Sequence, residues 1–213
     1  QDGRSASLTA PNGQAQQGVL VASLADANLG VDGVGALEAH GTGTALGDPI
    51  EAGAVAGVFL AERSTGPLVV GSLKANAGHT EPGAGLAGAL KLLMQLCDDA
   101  MSPNAQLCSL NPHVGASLRS HTTCVLPSQP GALCTGEAVG GGGVSSFGYS
   151  GTIAHAVLAF GQDGVREALA FGRAADSSEV LGFGRRGADQ AGGPVSEGCS
   201  EMDKKCSAFE GRS

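Results

Sequence analysis

Two histidines, His40 and His79, each lie in a glycine-rich segment that follows a short apolar run and precedes a helix-like pattern. The first segment is EAHGTGTALGDPIEAG at residues 38–53, and the second is GSLKANAGHTEPGAGLAG at residues 71–88. Segments that end two strands of one sheet can bring both imidazoles to one atom. Two hydrogen-bond donors at one oxygen suit chemistry at a carbonyl or at a developing enolate.

Apolar patterning predicts the elements that hold these segments. Residues 14–29 have the period of an amphipathic helix. Residues 34–39 and 67–72 are short runs like buried strands, and each leads into a histidine segment. Residues 152–160 also have strand propensity, whereas the glycine-rich residues 140–151 predict a turn. The alternation of strands and helices predicts an α/β fold with a mostly parallel sheet.

A helix is predicted to follow each histidine segment. A capping box would begin the first helix, with Asp48 as N-cap, Pro49 in the first turn and Glu51 three residues after the cap. The second helix is predicted from Pro82 to Leu96, and small residues fill its first half. Because each glycine costs a helix up to about 1 kcal/mol, this composition predicts a central, buried helix packed against another backbone. Its Lys91 is predicted to lie at the surface.

Composition and charge argue against several classes of function. The net charge is −8 and no basic cluster is denser than a doublet such as Arg185–Arg186, so no nucleic-acid partner is expected. The six cysteines form no CxxC pair or zinc-finger spacing, so no metal site is predicted, and scattered thiols suit an intracellular protein. No apolar run approaches the roughly 18 residues of a membrane span. No signal peptide is predicted. Since the chain begins at Gln1 instead of Met, in residues typical of the middle of a loop, we expect a fragment.

The other three histidines are expected to have no chemical role. His155 lies in the strand predicted over residues 152–160 and is expected to pack in the core. His113 and His121 lie within residues 102–136, which contain several prolines and are predicted to be irregular. Both are expected to be solvated.

Several motifs, in this order, resemble the C-terminal half of β-ketoacyl synthases from type I polyketide synthases. They are HGTGT with GDPIEA, then GSLKANAGHTEP, then SSFGYSGTIAHAVL, and the opening QDGRSASLTAPNG resembles the loop that precedes them. The resemblance covers residues 1–160, whereas residues 161–213 have no counterpart and their composition predicts a disordered tail. It implies a thiolase-like fold, in which two α/β halves form a five-layer α-β-α-β-α sandwich, usually as a homodimer.

The resemblance implies a decarboxylative Claisen condensation that elongates a polyketide or a fatty acid. A malonyl unit, carried on the phosphopantetheine of an acyl carrier protein, loses carbon dioxide, and the enolate attacks an acyl thioester on a cysteine. No cofactor is expected to bind this chain directly. The cysteine of the family lies in the N-terminal half, and none of the six cysteines here has its setting. The chain alone is therefore expected to be unable to form the acyl-enzyme.

The same resemblance suggests residues that stabilise the enolate. His40 and His79 match the two histidines of the family, which would donate N–H groups to the thioester oxygen. Lys74, Asp48 and Glu51 match a buried charge network that would orient them. A buried lysine without a partner costs several kcal/mol, so Lys74 is expected to be paired.

Further residues match positions that bind the substrate or support the histidines. Phe147 and Tyr149 match the loop that supplies an oxyanion-hole N–H, at Tyr149, and an aromatic gate. Thr42 and Thr44 match hydroxyls that bind the pantetheine amides. Asn76 is a candidate for fixing an imidazole tautomer.

Three other interpretations stay open. A non-catalytic ketosynthase-like partner would lack the cysteine but would not need both histidines. A thiolase would condense acyl units without decarboxylation, and it would use one histidine in a different motif. The segment GTGTALG at residues 41–47, between a strand and a helix, also resembles a dinucleotide-binding turn. Against that interpretation, no acidic residue ends the following strand.

Overall fold

The computed structural model describes residues 10–118, 124–133 and 140–159, together with the backbone of residues 170–171. The prediction of a disordered tail therefore stays a prediction, and His121 also lies outside the described residues. In chain order the elements are α1 (Gly13–Asp26), β1 (Val34–Glu38), α2 (Gly47–Val55), β2 (Leu68–Gly71), α3 (Lys74–Ala77), α4 (Ala84–Asp98), β3 (Ala100–Met101), α5 (Pro112–Leu118), β4 (Cys124–Val125), β5 (Gly131–Ala132), β6 (Gly141–Phe147), β7 (Ile153–Ala159) and β8 (Ala170–Phe171).

The main sheet contains six of these strands in the order β4–β2–β1–β6–β7–β8. Strands β4, β2, β1 and β6 run parallel, whereas β7 and β8 are antiparallel to their neighbours. At the centre, Leu37 of β1 lies beside Val70 of β2 and Gly143 of β6. The α/β class with a mostly parallel sheet is thus confirmed. Because β1, β2 and β6 are parallel, the loops that follow them meet at one edge of the sheet.

Helices cover both faces of this sheet. On one face, α1, α2 and α5 pack around Leu20 and Phe59, which are at most 1% exposed. On the other face, α4 packs through Leu92 against Ala36 of β1 and Val144 of β6. Burying a side chain of this kind contributes about 1.5–3 kcal/mol, so the two apolar layers hold the strands in register. No helix of the described part is both long and apolar enough to cross a membrane.

The turn predicted over residues 140–151 is wrong for most of its length, because residues 141–147 form the long central strand β6 and only residues 148–151 form the turn before β7. Its glycines are needed where neighbours approach closely. A Cβ at Gly142 would lie 2.8 Å from Leu92, and a Cβ at Gly143 would lie 2.7 Å from His155. The strand predicted over residues 152–160 is confirmed as β7, in which His155 is 2% exposed, as expected of a core residue.

The capping box predicted for α2 is also wrong. The helix begins at Gly47, and its N-cap residue, Leu46, makes no side-chain cap bond. The side chains of Asp48 and Glu51 instead accept hydrogen bonds from backbone N–H groups of the preceding loop. Asp48 and Glu51 therefore have the spacing of a capping box, but their carboxylates hold the preceding loop against the helix.

Helix α4 is less buried than its small residues predict. Ala84, Gly88, Leu92 and Leu96 are buried, but the opposite side exposes Leu86, Leu90 and Met94, which are 71%, 53% and 65% exposed. Its close neighbours are side chains instead of a backbone, since a Cβ at Gly85 would lie 2.7 Å from Ser146 Oγ.

Two other expectations need correction. Lys91 is not at the surface, because its side chain is 10% exposed and pairs with Glu38. The segment predicted to be irregular, residues 102–136, contains helix α5 and the short strands β4 and β5. Within this segment His113 is exposed, as expected.

Candidate active site

Both histidines lie beyond the carboxyl ends of neighbouring parallel strands. His40 belongs to the loop that follows β1, here called the His40 loop (residues 39–46), and His79 belongs to the segment after β2, the His79 segment (residues 72–83). Ala39 donates its N–H to Gly71, which continues the pairing of the strands to this edge. The two imidazole centroids are 5.7 Å apart with an interplanar angle of 90°. The fold therefore brings together two histidines that the sequence separates.

The end of β6 contributes a third ring to this site. Phe147 lies with its ring centroid 5.5 Å from that of His40. Together these rings line a cavity of about 860 Å³. The cavity also brings together most of the other predicted site residues, including Tyr149, which is 80% exposed. Those that line it are His40, Thr42, Thr44, Asp48, Glu51, His79, Phe147 and Tyr149, whereas Lys74 and Asn76 do not.

Glu51 holds the backbone of the His40 loop. Its two carboxylate oxygens accept hydrogen bonds from the N–H groups of His40 and Gly41, at 2.7 Å and 2.8 Å. Gly41 has a φ of +46°, and a Cβ there would lie 2.9 Å from Ser72, so the turn requires glycine. Burial raises the pKa of Glu51 to about 7, although the two hydrogen bonds favour its ionised form. The buried carboxyl group thus fixes where His40 leaves the strand.

The environment of His40 keeps its imidazole neutral. Burial lowers its pKa from the ordinary value of 6.5 to about 4, with smaller contributions from the charges of Lys74 and His79. A neutral imidazole carries one N–H, so His40 can donate one hydrogen bond at neutral pH. Its Nδ1 is buried and has no hydrogen-bond partner in the described structure.

Two of the predicted supporting residues make contacts other than those expected. Lys74 is half-buried, and burial lowers its pKa although Glu38 and Glu51 favour its charged form. Among described side chains, however, the only ion pair joins Lys91 to Glu38, so the expected pairing of Lys74 is not observed. Asn76 accepts a hydrogen bond from the N–H of Ala105 at 2.8 Å. This bond holds the chain after β3 and does not fix an imidazole.

The sequence interpretation missed the buried pair Glu38–Lys91. Glu38 ends β1 and is 2% exposed. One of its oxygens lies 2.6 Å from Lys91 Nζ and the other accepts the N–H of Leu73. Burial raises the pKa of Glu38, while Lys91 opposes the shift. A signal was available, because a single charge in an apolar strand and another in an apolar helix each require a partner.

The described cysteines lie away from the cavity. Cys97 and Cys124 are half-buried, Cys108 is exposed, and none of them lines the cavity. Burial raises the pKa of Cys124 to about 11, which makes it a poor nucleophile because the thiolate is the reactive form. Within the described residues, no group of three or more His, Cys, Asp or Glu side chains could hold a metal ion.

The amino-acid sequence is similar to that of a known family and to known synthases. The β-ketoacyl synthase C-terminal domain family matches residues 1–107. A protein of the spectinabilin polyketide synthase system from Streptomyces orinoci is 47% identical over 159 residues, which are 74% of this chain and 4% of that protein. One component of the phenolphthiocerol/phthiocerol polyketide synthase from Mycobacterium tuberculosis is 44% identical over 165 residues, which are 76% of this chain and 9% of that protein.

The fold is similar to that of solved ketosynthases. Ketosynthase twelve of the bacillaene polyketide synthase from Bacillus amyloliquefaciens matches with a TM-score of 0.65 and 33% identity, over 72% of this chain and 27% of that one. The module 6 ketosynthase of the bacillaene synthase from Bacillus subtilis matches with a TM-score of 0.67 and 31% identity, over 74% of this chain and 28% of that one. This chain therefore spans little more than a quarter of each solved ketosynthase.

Proposed function

Because this chain belongs to the β-ketoacyl synthase family, as the C-terminal part of a type I polyketide synthase ketosynthase domain, we propose that it supplies the decarboxylating groups of the active site. The proposed reaction is a decarboxylative Claisen condensation of an acyl thioester with a malonyl-type thioester. The acyl group is carried by a cysteine outside this chain. The malonyl group is carried by the phosphopantetheine of an acyl carrier protein, and the complete domain works as a homodimer.

The reaction proceeds in two steps. First, the bond between the carboxylate carbon and the α-carbon breaks, carbon dioxide leaves, and the electron pair generates an enolate at the thioester oxygen. Then the α-carbon forms a bond to the acyl carbonyl carbon, and the cysteine leaves as a thiolate. His40 and His79 each donate an N–H to the enolate oxygen. Removing one such donor typically costs about 10²–10³ in rate.

The observation that carries this proposal is the pair of imidazoles, 5.7 Å apart, at one cavity. The lowered pKa of His40 supports a role as a neutral donor, since the imidazole stays uncharged near neutral pH and still carries one N–H. Thr42 and Thr44 line the same cavity, which supports a role in binding the pantetheine amides. We assign the second oxyanion hole to the backbone N–H of Tyr149, with Phe147 and Tyr149 as the aromatic gate.

The experiment measures loss of carbon dioxide from malonyl-carrier protein by the full-length protein. His40→Ala and His79→Ala are expected to slow decarboxylation by about 10²–10³. His113→Ala is the matched control, because this histidine is exposed in α5 and lies outside the cavity. Acyl loading, read by mass spectrometry of the intact protein, tests whether the variants keep their fold. Decarboxylation at the wild-type rate in either cavity variant would contradict the proposal.

The geometry argues against the dinucleotide-binding alternative. A turn that binds a pyrophosphate must present free backbone N–H groups. In the His40 loop and at the start of α2, the N–H groups of Gly41, Gly43 and Gly47 donate to side chains of the chain itself, namely Glu51, Asp48 and Thr44. Binding of NAD measured by calorimetry is therefore expected to be absent. A non-catalytic partner is disfavoured because both imidazoles are present and close together.

A further inference from the structure

The carboxylate of Glu38 joins three elements behind the two histidines. Glu38 is the last residue of β1, just before the His40 loop. One oxygen accepts the N–H of Leu73, which immediately precedes α3 in the His79 segment. The other oxygen pairs with Lys91 Nζ at 2.6 Å, from the middle of α4. One buried side chain thus connects both histidine-bearing parts of the chain to the helix beneath them.

Two glycines make room for this pair. A Cβ at Gly88 would lie 3.0 Å from Cγ of Glu38, and a Cβ at Gly71 would lie 3.2 Å from Nζ of Lys91. Both distances are tighter than most Cβ contacts. The small residues of α4 and of the end of β2 therefore let helix and strands approach until the ion pair closes.

The charges around the pair reach the active site through Lys74. Glu38 faces Lys91 of α4, Lys74 of α3 and the N–H of Leu73. Lys74 in turn faces Glu38, Glu51 and Lys91. The neighbouring charges that act on His40 are those of Lys74 and His79. Changing the charge at position 38 or 91 therefore changes the pKa of Lys74. Because the charge of Lys74 acts on His40, the change also affects the electrostatic environment of His40.

We propose that Glu38 and Lys91 are positioning residues for the decarboxylation step. This proposal rests on the proposed function. The carboxylate holds the start of the His79 segment against the end of β1, which sets the separation of the two imidazoles. The positive charge of Lys91 offsets the negative charge of Glu38. Glu38 can therefore hold the backbone while the two charges have opposite effects on the pKa of Lys74. Neither residue lines the cavity of the histidines, so both act through other groups.

The experiment is a double-mutant cycle in the full-length protein, using malonyl-carrier decarboxylation as the readout. Lys91→Met and Glu38→Gln are each expected to lower kcat on the order of 10- to 100-fold with little change in KM, because small misplacements of reacting groups have effects of this size. The double variant Glu38→Gln/Lys91→Met keeps an oxygen for the N–H of Leu73 and carries no charge at position 38 or 91. It is expected to recover most of the lost rate. Glu62→Gln, at an exposed carboxylate, is the matched control.

The pH profile separates positioning from mere support of the fold. Glu38 raises the pKa of Lys74 and Lys91 lowers it. Because the charge of Lys74 acts on His40, loss of the Lys74 proton is expected to produce the alkaline limb of the rate profile, and Glu38→Gln is expected to move this limb to lower pH. Lys91→Met is expected to move it to higher pH, and the double variant to return it. Lys91→Arg keeps the positive charge, so its alkaline limb is expected to lie at the same pH as that of the wild type. This variant still tests the proposal if the uncharged variants do not fold.

The outcomes distinguish this proposal from the proposed function. A wild-type protein that does not decarboxylate malonyl-carrier protein would refute the proposed function itself. An active wild type with an unshifted alkaline limb in both single variants would overturn the positioning role. The positioning role would also be overturned if the folded double variant lost as much rate as the two single losses multiplied together. The same conclusion would follow if Lys91→Arg shifted the alkaline limb as far as Lys91→Met does.

Discussion

Glu51 and His155 illustrate how burial decides what a polar residue does. The spacing of Glu51 fits a capping box, but its carboxylate binds the backbone of the His40 loop. His155 lies in an apolar strand, and its Nδ1 lies 3.0 Å from Oγ of Ser145. The sequence alone could predict that His155 is buried, because its neighbours are apolar. It could not predict the partners of Glu51, because capping and loop anchoring use the same spacing.

The buried imidazole of His155 makes stability depend on pH. Burial lowers its pKa from 6.5 to about 4, so on acidification the unfolded chain binds the proton first. Its contribution to stability is therefore complete above pH 6.5 and is lost as the pH falls toward 4. Relative to a His155→Asn variant, the wild type is expected to lose up to about 1.4 kcal/mol of unfolding free energy per pH unit in this window.

Urea unfolding of the two proteins at a series of pH values measures this difference, and the comparison cancels the contributions of Glu51 and His40. His113→Asn, at an exposed position, is expected to leave the pH dependence unchanged. Parallel stability curves for wild type and His155→Asn would contradict the prediction.

At the level of elements, the sequence predicts those parts whose structure depends on local patterning. Helix α1 and strands β1, β2 and β7 follow apolar runs and could be predicted to within a few residues. Strand β6 could not be predicted, because a run of glycines locally indicates a turn. The glycines are explained only by the close contacts that β6 makes with α4 and β7. The short strands β3, β4 and β5 also depend on partners far along the chain.

The glycines of β6 provide a test of this explanation. Gly142→Ala would place its Cβ 2.8 Å from Leu92, and such overpacking is expected to lower the unfolding free energy by about 1–3 kcal/mol. Gly18→Ala is the matched control, because this glycine lies in α1 with no atom within 4 Å of a Cβ. The control is expected to raise stability by up to about 1 kcal/mol. Equal effects of the two substitutions in thermal unfolding would refute the close packing of β6.

At the scale of the whole molecule, this chain carries one part of a larger ketosynthase fold. It spans 27% and 28% of the two solved chains described above. The motifs of both histidines could be predicted from the sequence, because each motif is continuous. The sequence indicates that Glu38 and Lys91 each need a partner, but not that they pair with each other, since they are 53 residues apart and meet only when α4 packs against β1.

The exposed side of α4 leads to a prediction about the isolated chain. Leu86, Leu90 and Met94 form an apolar stripe along one side of the helix, and exposed apolar patches promote association. Replacing all three by Gln is expected to reduce self-association, measured by sedimentation or light scattering at several concentrations. Val21→Gln is the control, because Val21 is 55% exposed on α1, outside the stripe. Unchanged association of the triple variant would rule out this stripe as the cause.

The ion pair between β1 and α4 also bears on the design of hybrid synthases. A junction placed between the two histidine segments would take Glu38 from one parent and Gly71, Gly88 and Lys91 from the other. If the second parent had a larger residue at position 88 or no cation at position 91, the buried carboxylate of Glu38 would lose its ion-pair partner. Crossover points for such chimaeras therefore belong outside the stretch from β1 to α4, so that these four positions are inherited together.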